Sequence, residues 1–441
     1  MQDYKHDFIY AINKAGGEVY VVGGHVRNVA YNIIHNTKIS IKDSDFLVRL
    51  LDIESLIKIL KHYGKIKEVG KSFGIILLTP YHPYNGINGG VDNNVSIEIA
   101  LPRKEISTGP KYKDFIISAD PFLSLEEDFS RRDATINAMA YKLNTLSDLT
   151  SDMYLENIID PFNGLSDIKN KMWTAIGDPK KRFYEDPTRI MRAFRQSAEL
   201  NISINNDTLN AIKENYHLLD ILVPQSYVRL FNELFKMIQS PFFEPFLNIM
   251  YDIGILKLLG FTNKLEHIHE IMDTNNVRLK IALLLSQNFT DNVKKWGSDR
   301  QITATNYIDK HDLNFFECIE KYLSNLKIVG TKYDLLKLIN KVEKTYQHHG
   351  LEFVCDMIKY YYLIAYEVNN LFDIFEKCKS YPTSIDFIKL SGKICIDKWN
   401  ITGVKIQILK EKILDSIYSD QLKNIENDLI HYVETKYLLS N

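Results

Sequence analysis

A chain of 441 residues is long for a single hydrophobic core, so more than one domain is expected. Hydrophobic residues at 45% and charged residues at 25% are ordinary globular proportions and favour neither a disordered nor a membrane class. A formal net charge of −2 argues against a protein that coats nucleic acid indiscriminately, which leaves phosphate binding to local basic clusters. No apolar run approaches 18 residues, and the N-terminal stretch MQDYKHDFIYAINKAGG has neither a signal-peptide core nor transit-peptide character, so a soluble cytoplasmic protein without a membrane role is expected. Cys318, Cys355, Cys378 and Cys395 form no C-x-x-C, which fits core thiols in a reducing compartment rather than a zinc site.

Along the first 150 residues, short runs rich in Val and Ile (EVYVVGG, SDFLVRL, GIILLTP and VSIEIALP) are bounded by Gly, Pro or Asp and read as strands between helical patterns. Residues 81–95, YHPYNGINGGVDNNV, read as a long hairpin loop. Beyond about residue 150, segments such as SYVRLFNELFKMI, VRLKIALLLSQ and YDLLKLINKVEKTY repeat apolar residues at i, i+3, i+4 and i+7, so the rest is helical.

The first strand runs into Gly23 and Gly24, a glycine pair followed by Arg27 and then by Asp43 and Asp45. Bare backbone N–H groups opening a helix make an anion site, from which Arg27 would reach a phosphate; a tight turn with a solvent-facing arginine is the alternative. Two aspartates one residue apart leave the same face of a strand and can share a metal, although exposed strand ends also carry such pairs. Their oxygen ligands select Mg²⁺, or Mn²⁺, and no His/Cys set argues for zinc. Glu98, alternating with Ile97 and Ile99, is a candidate third carboxylate that faces either a polar cleft or solvent. In EDPTRIMRAFR, Asp186 and Arg189 are three apart, which predicts one helical face, with Arg192 and Arg195 continuing the row. A carboxylate accepts from the amino group of cytosine or adenine while a guanidinium donates to the neighbouring ring acceptor, so such a pair would reject uracil and guanine without a nucleic-acid template. An i,i+3 surface ion pair is the other reading of that helix.

GGHVRN, KDSDF, IEIALPRKE, LEEDFSRRDATINAMAY, IIDPFNGLSDIKNK and RFYEDPTRIMRAFR stand in the order found in class II tRNA nucleotidyltransferases, and the chain resembles a bacterial-type CCA-adding enzyme of that family. The likeness covers about the first 200 residues and returns in ITGVKIQILKEKILDSIYSDQLKN. It implies an α+β protein: a polymerase-β-like nucleotidyltransferase head over residues 1–145, with a mixed sheet and helices, then an all-α neck over 146–215 carrying the base template, then a helical, tRNA-binding body and tail over 216–441. The implied reaction adds CCA to tRNA from CTP and ATP, with Mg²⁺ held by Asp43 and Asp45, and no protein partner is implied. Asp186 and Arg189 would read the base. Gly23, Gly24, Arg27, Arg132, Arg192 and Arg195 would contact the nucleotide, and Arg131 suits a structural ion pair. Arg103 and Glu105 would open a flexible loop needed for adenosine addition. Lys169, Lys171, Lys180, Lys181 and Arg182 could meet the tRNA backbone or form a solvated face.

Departures from the family pattern are Asn28 for an aspartate, Ala134 for an aromatic and Gln196 for a phenylalanine. Leu284 and Leu285 stand where some relatives carry a His-Asp phosphohydrolase pair, so that activity is not expected. A poly(A) polymerase shares these motifs but usually has a G-R-R-F-R-L-type stretch where EVGKSFGIILL stands here. Retention of Glu98–Asp128 argues against a loop-deleted CC-adder, though not against an A-adder. Intact Asp43, Asp45, Asp186 and Arg189 argue against a catalytically dead RNA-binding relative.

Overall fold

A computed structural model describes residues 7–41, 44–69, 74–81, 96–109, 115–149, 153–259, 277–285, 310–326, 328–347, 349–365 and 371–440. The expected loop at 81–95 lies outside these but for Tyr81. So does Asp43, and the side chains of Leu284 and Leu285 are likewise not described. The chain divides into two compact units, residues 1–258 and 259–441.

The first unit opens with α1 (Phe8–Lys14), β1 (Glu18–Val22), α2 (Gly24–His35), β2 (Asp45–Arg49), α3 (Ile53–Leu60), β3 (Gly64–Val69), β4 (Ile75–Pro80) and β5 (Ile97–Ala100). A separate ribbon of β6 (Arg103–Ser107) and β7 (Phe115–Ala119) follows, then α4 (Leu125–Phe129), β8 (Ala140–Leu143) and β9 (Ile158–Ile159). The main sheet is mixed, in the order β3, β4, β5, β2, β1, β8, β9, and β2–β5 is its parallel pair. EVYVV reads as almost continuously apolar because β1 is covered on both faces. Phe8 of α1 meets Phe46 edge-on at 5.7 Å on one side, while Tyr20, Val22 and Leu47 pack with Leu125, Phe129 and Ile176 on the other.

Four short elements lead out of the sheet: α5 (Gly164–Lys169), β10 (Met172–Trp173), α6 (Pro179–Glu185) and α7 (Thr188–Leu200). They are followed by β11 (Ser203–Ile204), α8 (Asn206–Asn215), α9 (Leu219–Gln239), α10 (Phe243–Ile253) and α11 (Ile255–Leu258). Helix α7 buries Ile190, Met191, Phe194 and Ala198 and packs against α9 and α10. The second unit is helical where it is described: α12 (Val277–Leu285), α13 (Lys310–Leu326), α14 (Lys332–Tyr346), α15 (Gly350–Ala365), α16 (Leu371–Cys378), α17 (Gly392–Trp399), α18 (Val404–Tyr418) and α19 (Glu426–Tyr432). All four cysteines are free thiols there, and burial pushes their pKa values up.

Two features differ from the sequence reading. GKIKEV forms the edge strand β3 although its alternation is masked by lysines, which suit an edge by blocking further pairing. RKEIS and FIISA pair as a ribbon, so Arg103 and Glu105, which the resemblance puts at the opening of a flexible loop, lie on a strand.

Close approach of α5 to the turn at Thr135–Asn137 depends on Gly164, where an added Cβ would lie 2.5 Å from the Thr135 carbonyl oxygen. Gly164→Ala is expected to destabilise the fold by about 2 kcal/mol, because backbone rather than a flexible side chain must yield. Thermal unfolding of the variant against wild type measures this, and an unchanged midpoint would contradict the close contact.

Candidate active site

Strand register brings Asp45 and the candidate third carboxylate, Glu98, together. β2 pairs in parallel with β5 through Phe46↔Ile99 and Leu47↔Ala100, so Asp45 and Glu98, each one residue earlier, lie side by side on one face at the same end of the sheet. Both are exposed. Partial desolvation at the sheet face and then the charge of Asp45 push the Glu98 carboxyl above its usual range, with Arg103 pulling the other way. Two neighbouring carboxylates with oxygen donors only fit a hard divalent cation.

Beside them β1 ends and the chain turns at Gly23, whose φ of 68° is open chiefly to glycine. A Cβ there would come within 3.1 Å of Arg132 Nη1 and 4.0 Å of Asp45 Oδ2, so the glycine lets backbone, arginine and carboxylate share one corner. Gly24 begins α2, whose first-turn N–H groups open toward that corner.

His25 is buried at 4% exposure; its Nδ1 shares a 3.0 Å hydrogen bond with Ser44 Oγ, and its Nε2 has no hydrogen-bond partner. Burial pushes its pKa down to about 4. The neutral imidazole thereby holds the residue that precedes Asp45, a role the sequence reading missed because a lone histidine beside two glycines gives no periodic signal.

The arginines are organised by a buried polar hub. Arg27 Nη1 donates to Asn137 Oδ1 at 2.6 Å, and Asn137 Nδ2 donates to Asp133 Oδ1 and to Gln196 Oε1, each at 2.8 Å. Arg192 Nε donates to Asp133 Oδ2 at 2.7 Å. Although burial pushes the Asp133 carboxyl up, Arg192 and the Asn137 amide hold it well below the usual carboxylate range. Asp133 in turn raises Arg192. Arg27 is pushed down to about 10 by burial and stays charged at neutral pH. Arg132 donates to the Asn137 carbonyl at 3.0 Å, lies 4.5 Å over the Phe129 ring and faces Asp128 at 3.6 Å. Arg131 is held by Asp128 and Glu105, as a structural arginine should be.

Asp186 and Arg189 do not share a helical face. Asp186 is extended, with φ −147°, at the joint between α6 and α7, and its Oδ1 accepts from Thr188 N at 3.0 Å and Thr188 Oγ1 at 2.6 Å. Pro187 forces the residue before it out of the helical region, which is why three-residue spacing misled here. Arg189 does lie on α7; it is buried and donates to the Arg131 carbonyl at 2.7 Å and to Glu185 at 3.4 Å. Arg195 turns away to Glu233 of α9 at 2.5 Å and to Glu199 at 2.7 Å, whereas Arg192 keeps 40% of its side chain exposed. An open groove of about 710 Å³ runs beside this joint, lined by Arg103, Lys104, Arg131, Lys181, Arg182 and Glu185 among others. Within it Arg182 is paired with Glu185 at 3.2 Å and Lys104 with Glu127 at 3.3 Å, and Lys180, outside that lining, is paired with Glu214.

In the second unit His311 and His349 converge on Glu352 at 3.1 and 3.3 Å, a set the sequence reading did not find because the two histidines stand on different helices' ends. Arg278 already donates to that carboxylate at 2.6 Å and to Asp356 at 2.7 Å, so its charge is offset without an ion.

The mixed sheet, with paired carboxylates beside a glycine turn and a cluster of arginines, agrees with the nucleotidyltransferase head that the sequence resemblance implies. Residues 19–174 match the poly(A) polymerase head domain, and residues 201–260 match a probable RNA- and SrmB-binding site of polymerase A. The head-domain match spans Gly23, Asp45, Glu98 and Arg132, the whole of the carboxylate and glycine corner. It is 27% identical to a CCA-adding enzyme of Ligilactobacillus salivarius over 94% of this chain and 93% of that one, and 31% identical to one of Streptococcus sanguinis over 66% of each. It shares its fold with the Thermotoga maritima CCA-adding enzyme complexed with tRNA (TM-score 0.66, 20% identical, 97% of this chain and 93% of that one). The Bacillus stearothermophilus CCA-adding enzyme in complex with CTP gives a TM-score of 0.61 at 19% identity, covering 98% and 96%.

The depressed His25 pKa has a consequence for stability. The unfolded chain takes up a proton near pH 6.5 and the folded chain only near 4, so stability is full above 6.5 and falls as pH drops through that window, by up to about 3 kcal/mol. Denaturant unfolding of wild type and His25→Leu between pH 7.5 and 4 is expected to show a shallower acid loss in the variant. Parallel curves would contradict a buried neutral imidazole.

Proposed function

We propose that this protein adds CCA to the 3′ end of tRNA without a nucleic-acid template, using CTP and ATP and releasing pyrophosphate. The observation that carries this reading is the likeness to a CCA-adding enzyme over 94% of the chain, on a head that retains the carboxylate and glycine corner. In the reaction the terminal tRNA hydroxyl attacks the α-phosphate of the nucleotide; the new P–O bond forms as the bond to pyrophosphate breaks. Asp43 and Asp45, with Glu98 alongside, would hold the divalent ion, Mg²⁺ or Mn²⁺, whose chemistry when bound is to offset charge on the phosphates and favour the attacking alkoxide. Gly24 would give its backbone N–H to the triphosphate, Gly23, whose own N–H donates to the Met139 carbonyl at 3.2 Å, supplies the turn, and Arg27 and Arg132 add charge there. Chemistry at this site is chiefly positioning.

Base choice falls to the joint at Asp186. Its carboxylate accepts from the amino group of cytosine or adenine, Arg189 donates beside it, and Arg192 and Arg195 support the same helix. Uracil and guanine would present a carbonyl to the carboxylate and leave it unpaired, which is the costly mismatch in a closed site. In the arrangement described, Thr188 and the Arg131 carbonyl hold the two side chains, so nucleotide binding exchanges those partners for the base. Lys181 and Arg182, which line the groove, would meet RNA phosphates, and the helices after residue 216 would form the tRNA-binding body and tail of a cytoplasmic enzyme.

Incorporation on tRNA lacking its three-nucleotide tail tests the reading. CTP alone is expected to add two cytidines and ATP then one adenosine. A long ladder with ATP alone would make the protein a poly(A) polymerase, and arrest after CC, or activity only on CC-ended tRNA, a split-specificity enzyme. Asp45→Ala should lower incorporation on the order of 10³-fold, the rate equivalent of about 4 kcal/mol, while leaving tRNA binding intact. An Asp45→Ala variant as active as wild type would remove the carboxylate from the mechanism.

A further inference from the structure

Gln196 is buried at 2% exposure on α7 and carries no charge, yet it sits where two functional arginines are joined. Its Oε1 accepts from Asn137 Nδ2 at 2.8 Å and from Trp173 Nε1 at 2.9 Å, and its Nε2 approaches Asp133 Oδ2 at 3.4 Å. Asn137 passes this order to Arg27 of α2, and Asp133 passes it to Arg192 of α7. The family resemblance puts a phenylalanine at this position, which could make none of these three contacts.

We propose that Gln196 is a positioning residue for nucleotide binding: by fixing Asn137 and Asp133 against Trp173 it locks Arg27, toward the triphosphate, and Arg192, on the base-reading helix, into one rigid unit. This rests on the nucleotidyltransferase reading of the site. An apolar side chain at 196 leaves the Trp173 N–H without its buried acceptor and frees one Asn137 amide hydrogen. The Asn137 side chain then has a single amide partner, Asp133, and its Oδ1 no longer holds Arg27 in one place. The two arginines lose their common anchor, and a shift of about 1 Å is enough to weaken charge-assisted contacts to a nucleotide substantially. Because the hub does not touch the base edge, CTP and ATP suffer alike.

The test is equilibrium binding of CTP and of ATP, with Mg²⁺ and without tRNA, to the full-length wild type, Gln196→Met and Gln196→Glu at pH 6, with thermal midpoints recorded in parallel. Gln196→Met is expected to weaken both nucleotides about tenfold and to raise both KM values more than it lowers kcat. Gln196→Glu should stay within about threefold of wild type at that pH, since burial beside Asp133 favours its protonated acid, which offers the same acceptor and donor as the amide. Wild-type affinity in Gln196→Met, with only a lower midpoint, would overturn the positioning role and reduce Gln196 to a packing residue. Equal weakening in both variants would also overturn it, because hydrogen bonding would then not be the operative property. Absence of nucleotide binding by the wild type would bring down the site reading itself, and this inference with it.

Discussion

One buried carboxylate organises the catalytic half of this protein. Asp133 is 7% exposed and is bonded to Arg192, Asn137 and the Ala134 N–H. Isolated, such a charge would be costly to bury; paired and hydrogen-bonded, it becomes a fixed point to which three separate stretches are tied. The turn at Thr135–Asn137 is held from within, α7 through Arg192, and α2 through Asn137 and Arg27. Removing one partner would leave the others buried without compensation, so the arrangement is all or none.

The sheet supplies the other fixed frame. Because β2 and β5 run parallel and in register, Asp45 and Glu98 emerge together without any help from loop conformation, and the positive φ of Gly23 lets the turn into α2 close over the same corner. Backbone geometry thus places the carboxylates and the glycine turn side by side, while the Asp133 hub places Arg27 and Arg192. The two meet at Arg132, which lies within reach of the Gly23 backbone, the Asn137 carbonyl and Asp128.

Strands β1, β2, β4 and β5 were legible because they are buried Val/Ile runs punctuated by glycine, proline or aspartate, and the long helices from α9 onward because their apolar stripes follow the helical period. Edge strand β3 was hidden by lysines whose purpose is to keep an edge unpaired, and β6 by the three charged residues of RKEIS, which interrupt the apolar alternation of a strand. Within the site, residue types and order along the chain were legible, since aspartates, glycines and arginines of this chemistry stand in six ordered motifs. Side-chain partnerships were not. Asp186 sits in extended backbone between α6 and α7 and accepts from Thr188 instead of sharing a face with Arg189, because Pro187 intervenes, and Gln196 entered the sequence reading only as a departure from pattern. Periodicity shows which face a residue occupies; it does not show which of several acceptors a guanidinium will choose.

The central claim is that the protein itself, and not a nucleic acid, reads the incoming base. Its most direct test is binding of CTP, ATP, UTP and GTP to the purified protein with Mg²⁺ and no RNA present, compared between wild type and Asp186→Ala. The account predicts that wild type binds CTP and ATP at least about tenfold more tightly than UTP and GTP, and that the variant loses most of this preference. Equal affinity for all four nucleotides in the wild type, or an unchanged preference in the variant, would contradict it.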